Sequence, residues 1–340
     1  ELVAKTSIPF LPMSMAKGVV PDDSPASAAS ARSFTLGQAD VVLLVGARLN
    51  WMLSNGGSPL FSPDAKFIQV DIDATEFDSN RKIDAPLQGD IKSVMQKFNS
   101  AVIDAGVKAP QDWLDQIKTE SEKNNTKFAK RISASKAKPT LGYYSAIEPI
   151  NDLLQKHPDA YIVSEGANTL DIGRNLISMQ KPRHRLDTGT WGVMGVGMGY
   201  AIATAVETGK PVIALEGDSA FGFDGMEMET ICRYHLPVIV IVVNNGGIYN
   251  GDVNVVPDQP GPTVLDHDAH YGDIAKAFGG DSYRVNNYTE MKDALEKAYE
   301  SGNPTIIDAQ IPASMGKESG HIGNLNPKLD LSSLEEKENK

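Results

Sequence analysis

Short runs of apolar residues recur along the chain, each ending in glycine, aspartate, asparagine or proline. Residues 39–46 (ADVVLLVG) and 66–73 (KFIQVDID) are the first two. Runs this short, bounded by turn formers, predict buried parallel strands. Residues 87–105 read as a loop followed by a helix. Residues 118–138 break the pattern. They are polar and lysine-rich, without aromatic residues interleaved for nucleic-acid binding, and predict a solvated helix and linker. After Pro139 the alternation resumes. Residues 159–168 read as strand and loop, 195–209 as a helix of small residues, and 211–220, 236–247 and 303–312 as strands. The predicted fold class is α/β: two open parallel-sheet domains with helices on both faces. The expected boundaries are a first domain over 1–118, a linker over 119–139, a second domain over 140–325, and a charged tail over 326–340 without fixed structure. No internal repeat is visible.

Composition narrows the class. Hydrophobic residues make up 41% of 340, enough for a globular core, and no apolar run reaches the ~18 to 20 residues of a membrane span. The opening residues, ELVAKTSIPF, lack an initiator methionine, a basic start and an apolar signal core, and read as an entry into the middle of a longer chain. A single cysteine, Cys232, excludes an internal disulfide and fits a cytoplasmic location. A net charge of −12 disfavours nonspecific binding to nucleic acid or anionic lipid. It leaves room for a local site that gathers an anionic ligand.

Two strand ends carry the chemistry. The run VIAL closes with Glu216-Gly217-Asp218-Ser219, and the run VIVIVV closes with Asn244-Asn245-Gly246-Gly247. The 24 residues between Ser219 and Asn244 suffice for a loop, a helix and a strand, so both ends can arrive side by side. In open α/β sheets, ligands sit beyond the carboxyl ends of the strands. Mg²⁺ prefers near-octahedral oxygen ligands, few of them from protein. The Asp218 carboxylate, the Asn245 amide and the Gly247 carbonyl offer three oxygens, which diphosphate and water would complete. The glycines permit close approach of backbone to phosphate. A helix after Ser219 would add N–H donors.

This spacing is similar to the metal–diphosphate signature of thiamine diphosphate (ThDP)-dependent enzymes, with Ser219 where the signature usually has glycine. Residues 13–50, the stretch ending in NNGGIY (244–249) and the segment ESGHIGNLNPK (318–328) resemble the oxalyl-CoA decarboxylase family of such enzymes, nearly end to end. The resemblance implies ThDP and Mg²⁺ as cofactors, oxalyl-CoA as substrate, and formyl-CoA and carbon dioxide as products. It implies that Met194, between Gly192 and Gly195, props the cofactor into a bent conformation. It implies that Gly166, Ala167, Asn168, Gly217, Ser219, Ala220, Asn245 and Ile248 surround the diphosphate end. Tyr249 falls where the family has an active-site phenol. Ser319 falls in a tail that folds over the site. Arg174 matches a position that could contact CoA.

The resemblance also makes the first domain a middle, nucleotide-binding domain that holds ADP as an activator, with Asp71, less clearly Asp73, on ribose and Arg48 near phosphate. A GxGxxG fingerprint is absent from it. The family's pyrimidine-binding domain, with its catalytic glutamate, is expected to be missing from these residues. The intact enzyme is expected to be a homo-oligomer with active sites between subunits. Three alternatives stay open: a 2-hydroxyacyl-CoA lyase, an acetolactate synthase-like enzyme, or a silent fragment that binds nucleotide or diphosphate.

Overall fold

The structure is a computed structural model that describes residues 1–249, 259 and 261–313. The described residues divide into two compact units, one of Glu1–Arg32 with residues 105–313, the other of Ser33–Asp104. The division falls elsewhere than the sequence suggests, because the first 32 residues pack with the second half of the chain. Lys17 pairs with Asp22 at 3.0 Å and donates to the carbonyl of Arg174 at 3.3 Å. The Asn124 amide donates to the carbonyl of Ser30 at 2.9 Å. Such polar contacts between remote segments leave no trace in local periodicity.

The opening helix α1 (Leu2–Thr6) belongs to the larger unit. The smaller unit follows with α2 (Arg32–Gln38), β1 (Val41–Val45), β2 (Lys66–Asp71), β3 (Ala85–Gln88) and α3 (Ile91–Asp104). Its three strands are parallel in the order β1-β2-β3. Only the central strand is thoroughly buried. On β1, Val42 and Leu44 face inward while Val41 and Val45 are exposed, as suits a strand at a sheet edge. Arg81 ties the loops together. Its guanidinium donates to the carbonyls of Gly56, Ser62, Pro63 and Ala65 and lies over the Phe67 ring.

The larger unit resumes with α4 (Gln111–Lys136), a continuous 26-residue helix across the region expected to be partly linker. Only Ile117 and Ser135 of it are buried, so its polar composition is that of a solvated helix. Then come α5 (Tyr143–Lys156), β4 (Tyr161–Ser164), α6 (Asn168–Leu176), β5 (Arg185–Asp187), α7 (Gly197–Thr208), β6 (Val212–Gly217), α8 (Asp218–Asp224), α9 (Met228–Arg233), β7 (Val238–Asn244), α10 (Gly272–Ala277), β8 (Asp281–Val285), α11 (Tyr288–Ser301) and β9 (Thr305–Gln310). The six strands are parallel in the order β5-β4-β6-β7-β9-β8.

Strands β6 and β7 lie in the middle of the sheet and are buried on both faces, which explains their uninterrupted apolar runs. Ile213, Leu215, Ile239, Ile241 and Val243 pack under α5, α6 and α11. The alternate residues Val212, Ala214, Val238, Val240 and Val242 pack under α7, α8, α9 and α10. Helix α7 is rich in glycine and alanine, lies against β4 and β6, and ends at Gly209 in the left-handed conformation. The chain moves from β4 outward to β5 and then returns to the other side of β4 to form β6. That reversal is the switch point at which a crevice opens beyond the strand ends. Among the described residues no helix is long and apolar enough to cross a membrane.

Candidate functional site

The carboxyl ends of β4, β6 and β7 meet at this switch point. Asp218 follows β6 directly and opens α8, so the helix begins one residue before Ser219. Asp218 is buried, and its Oδ2 accepts from the backbone N–H groups of Asn245, Gly246 and Gly247 at 3.1, 2.8 and 3.1 Å. Its Oδ1 accepts from the Ser219 N–H at 2.7 Å. The two strand ends are thus joined through a single carboxylate. Burial pushes the Asp218 carboxyl up to about 6, against the pull of these N–H bonds. A divalent cation favours the charged form, so a buried carboxylate here is well matched to one.

Asn245 is oriented by what lies behind it. Its Nδ2 donates to the Tyr143 hydroxyl at 2.7 Å and to the Tyr249 carbonyl at 2.8 Å. A carbonyl can only accept, so the amide nitrogen must face it and the amide oxygen is turned away from both groups. Gly247 is held by an antiparallel bridge to Val264, and Ile248 donates to the Thr263 carbonyl at 2.9 Å. Gly246 has φ +72, and a Cβ there would fall 2.1 Å from His267 Nδ1, so only glycine fits. The Asn245 Oδ1 accepts from the Gly247 N–H at 3.2 Å, so carboxylate, amide and backbone of these residues lie together, and oxygens of these types are the hard donors that Mg²⁺ takes together with phosphate. Among the described residues no group of three or more His, Cys, Asp and Glu is placed to hold a metal.

The Gly166-Ala167-Asn168 loop comes to the same place. Gly166 has φ +99, and a Cβ on it would lie 3.3 Å from the Gly217 nitrogen. The segment from Thr188 to Val196 forms the next wall, with Gly189, Gly192 and Gly195 all at positive φ. Met194 is half-buried in it, and Trp191 is 89% exposed. Glu165 accepts from the N–H groups of Gly195, Val196 and Gly197, which fixes the end of this segment and the start of α7. Glu216 and Asp224 lie close by. Glu216 is fully buried without a hydrogen bond, and Asp224 accepts from the Met198 N–H at 3.1 Å. Burial, then the proximity of Glu165 and Asp224, raises the Glu216 carboxyl well above its usual range. Burial and Glu165 push Asp224 up to about 6.

Tyr249 is 67% exposed and has φ +57, a left-handed backbone that is costly for a non-glycine residue. Two donors hold its carbonyl, the Tyr143 hydroxyl at 3.1 Å and the Asn245 amide. Arg174 is turned inward on α6. Its Nε and Nη2 donate to Asp187 Oδ2 and Oδ1 at 3.1 and 3.2 Å, and Nη2 also donates to the Gly189 carbonyl at 3.0 Å. This guanidinium, expected to contact CoA, is held within the chain by Asp187 and Gly189. Ser319 lies outside the described residues. In the smaller unit, Asp71 ends β2, is buried, and accepts from the Asp73 N–H at 3.0 Å. Asp73 caps the turn at Thr75, and Arg48 is half-exposed, 3.5 Å from Glu76.

Sequence reasoning missed Glu165, Glu216, Asp224 and Tyr143. Glu216 left one signal, a charge at the end of an otherwise apolar run. Tyr143 left none, because its role depends on a contact 102 residues away.

Residues 166–309 match the thiamine pyrophosphate enzyme C-terminal TPP binding domain, and residues 1–98 match the thiamine pyrophosphate enzyme central domain. The chain is 50% identical over 330 residues to an oxalyl-CoA decarboxylase of Escherichia coli (strain K12), covering 96% of this chain and 58% of that protein. It is 41% identical over 338 residues to a 2-hydroxyacyl-CoA lyase of Oryza sativa subsp. japonica, again covering 96% and 58%. It is 42% identical over 333 residues to 2-hydroxyacyl-CoA lyase 1 of Homo sapiens, covering 92% and 56%. The chain therefore spans less than two thirds of the length of these relatives.

Proposed function

The chain belongs to the thiamine pyrophosphate enzyme family, and we propose that the protein is a ThDP- and Mg²⁺-dependent carbon–carbon lyase that converts oxalyl-CoA to formyl-CoA and carbon dioxide. Thiamine pyrophosphate and ThDP are the same cofactor. The observation that carries the reading is the Asp218 carboxylate, which joins the ends of β6 and β7 and is buried where a cation and a diphosphate would meet. Higher identity to the decarboxylase than to the lyases supports oxalyl-CoA as substrate.

Bound ThDP supplies a nucleophilic carbon and an electron sink for loss of carbon dioxide beside a thioester carbonyl. The chain's own residues do the holding. Asp218 and Asn245 would present oxygens to Mg²⁺, with the Gly247 carbonyl joining them. Gly217, Ser219, Ala220 and Ile248, with Ala167 and Asn168, would line the diphosphate end. Met194, two residues after Gly192, would form an apolar wall against the cofactor. Tyr249 offers its phenol at the edge of the Asn245 loop, on a backbone pinned by two hydrogen bonds. A homo-oligomer would supply the facing wall.

The test uses the intact protein with Mg²⁺ and ThDP. Formyl-CoA and carbon dioxide released from oxalyl-CoA support the proposal. Cleavage of 2-hydroxyacyl-CoA with no turnover of oxalyl-CoA assigns the protein to the lyases instead. Calorimetry on Asp218→Ala should show loss of Mg²⁺-dependent ThDP binding, and unchanged affinity removes Asp218 from the site.

A further inference from the structure

We propose that Arg174 is a positioning residue for the wall that carries Met194. The inference rests on the functional reading above, in which that wall shapes the bound cofactor. The loop from Thr188 to Met194 is gripped at both ends by buried side chains. At its exit, Glu165 collects the N–H groups of Gly195, Val196 and Gly197. At its entry, Gly189 is held through both of its backbone groups. Its N–H donates to Asp187 Oδ1 at 2.8 Å, and its carbonyl accepts from Arg174 Nη2 at 3.0 Å.

Arg174 also forks onto both oxygens of Asp187, so one guanidinium fixes the anchoring carboxylate and the anchored residue together. Burial raises the Asp187 carboxyl, but Arg174, then Arg185 and the Gly189 N–H, together outweigh it and hold the group below its usual range. Gly189 itself stands at φ +59, a backbone open to glycine and costly for other residues. Between the grips, Gly192 at positive φ and an indole that is 89% exposed show a loop with little packing of its own. Its position is therefore set by its ends. Arg174 reaches the entry from α6, which begins at Asn168 with Ala167 as its N-cap, so both walls share one rigid element.

A planar fork cannot be replaced by a point charge, whereas a phosphate contact tolerates lysine. This separates positioning from direct contact with CoA. ThDP is titrated into the intact apo protein with Mg²⁺, for wild type and Arg174→Lys, by calorimetry, and KM for oxalyl-CoA is measured in parallel. Positioning predicts ThDP binding weakened by about tenfold or more, the scale of one lost charge-assisted fork, with KM changed less than about threefold. It also predicts that the penalty shrinks in a Met194→Ala background, since the two residues act through one wall.

Unchanged ThDP affinity with a raised KM, or additive penalties in the double variant, overturns the inference. If Arg174→Lys does not fold, Gly189→Ala strains the same anchor without touching a charge, and a Cβ there meets nothing within 4 Å. It should weaken ThDP binding too, and unchanged affinity overturns the inference. Failure of the wild type to bind ThDP overturns the functional reading itself, whereas wild-type binding with indifferent variants overturns only the role of Arg174.

Discussion

Gly197→Ala sets two physical effects against each other. Gly197 opens α7, and an alanine in a helix is more favourable than glycine by up to ~1 kcal/mol. The added Cβ, however, would lie 2.1 Å from Glu216 Oε1, 2.6 Å from Glu165 Oε2 and 3.0 Å from Glu216 Cδ. Unbonded heavy atoms rest at ~3.5 Å, so one or both carboxylates must move by about an ångström. Both are fully buried, so neither can swing into solvent. Overpacking of this kind costs ~1–3 kcal/mol. Displacing Glu165 also loosens its bonds from Gly195, Val196 and Gly197, each worth ~1 kcal/mol or more.

The clash should win by ~2–4 kcal/mol, lowering the thermal midpoint by roughly 5–10 °C in a unit of this size. Thermal unfolding followed by circular dichroism measures it. Gly199→Ala is the control, because a Cβ there meets nothing within 4 Å and only the propensity gain remains. A Gly197→Ala midpoint at or above wild type, or one that tracks Gly199→Ala, refutes the steric argument.

Three further outcomes follow from the same contacts. Asp224 titrates at about 6 in the fold, above its ordinary 3.8, so the native state holds the extra proton between these values and stability falls as pH rises through them. Asp224→Asn removes that loss, and its unfolding free energy from denaturant titration should exceed wild type by ~1–2 kcal/mol at pH 8 and by much less at pH 4, after discount for partial exposure. Equal shifts at both pH values contradict this. Gly246→Ala should destabilise by ~1–2 kcal/mol through its left-handed backbone and its collision with His267, and adding His267→Ala should recover the collision but not the strain. Full recovery in the double variant would locate the whole cost in the ring. If the smaller unit takes ADP through Asp71 on ribose and Arg48 near phosphate, as the resemblance implies, millimolar ADP should raise the melting temperature of the intact protein. Asp71→Ala should abolish the shift, and no shift in wild type ends the ADP assignment.

Much of this protein was written in local pattern. The runs at 211–217 and 236–244 are long, apolar and closed by polar residues, and they became β6 and β7 because a strand buried on both faces can only read that way. The small-residue stretch 197–208 became a helix packed close to the sheet. Asp218 and Asn245 were legible as neighbours because a strand end and a fixed connection length place them, with no need to know the rest of the fold.

The tertiary structure decided what depends on remote partners. The strand order, with β4 between β5 and β6, placed the crevice at the end of β4. The opening 32 residues joined the second half of the chain through polar contacts that leave no periodic signal. Glu165, unremarkable in sequence, became a cap for three backbone N–H groups 30 to 32 residues away. Arg174, which the resemblance offered as a contact for CoA, is held by Asp187 and the Gly189 carbonyl. Periodicity reports which face of an element is buried. It cannot report which charge will meet which, because the cost of burying a charged group is settled only by a partner that folding brings from elsewhere in the chain.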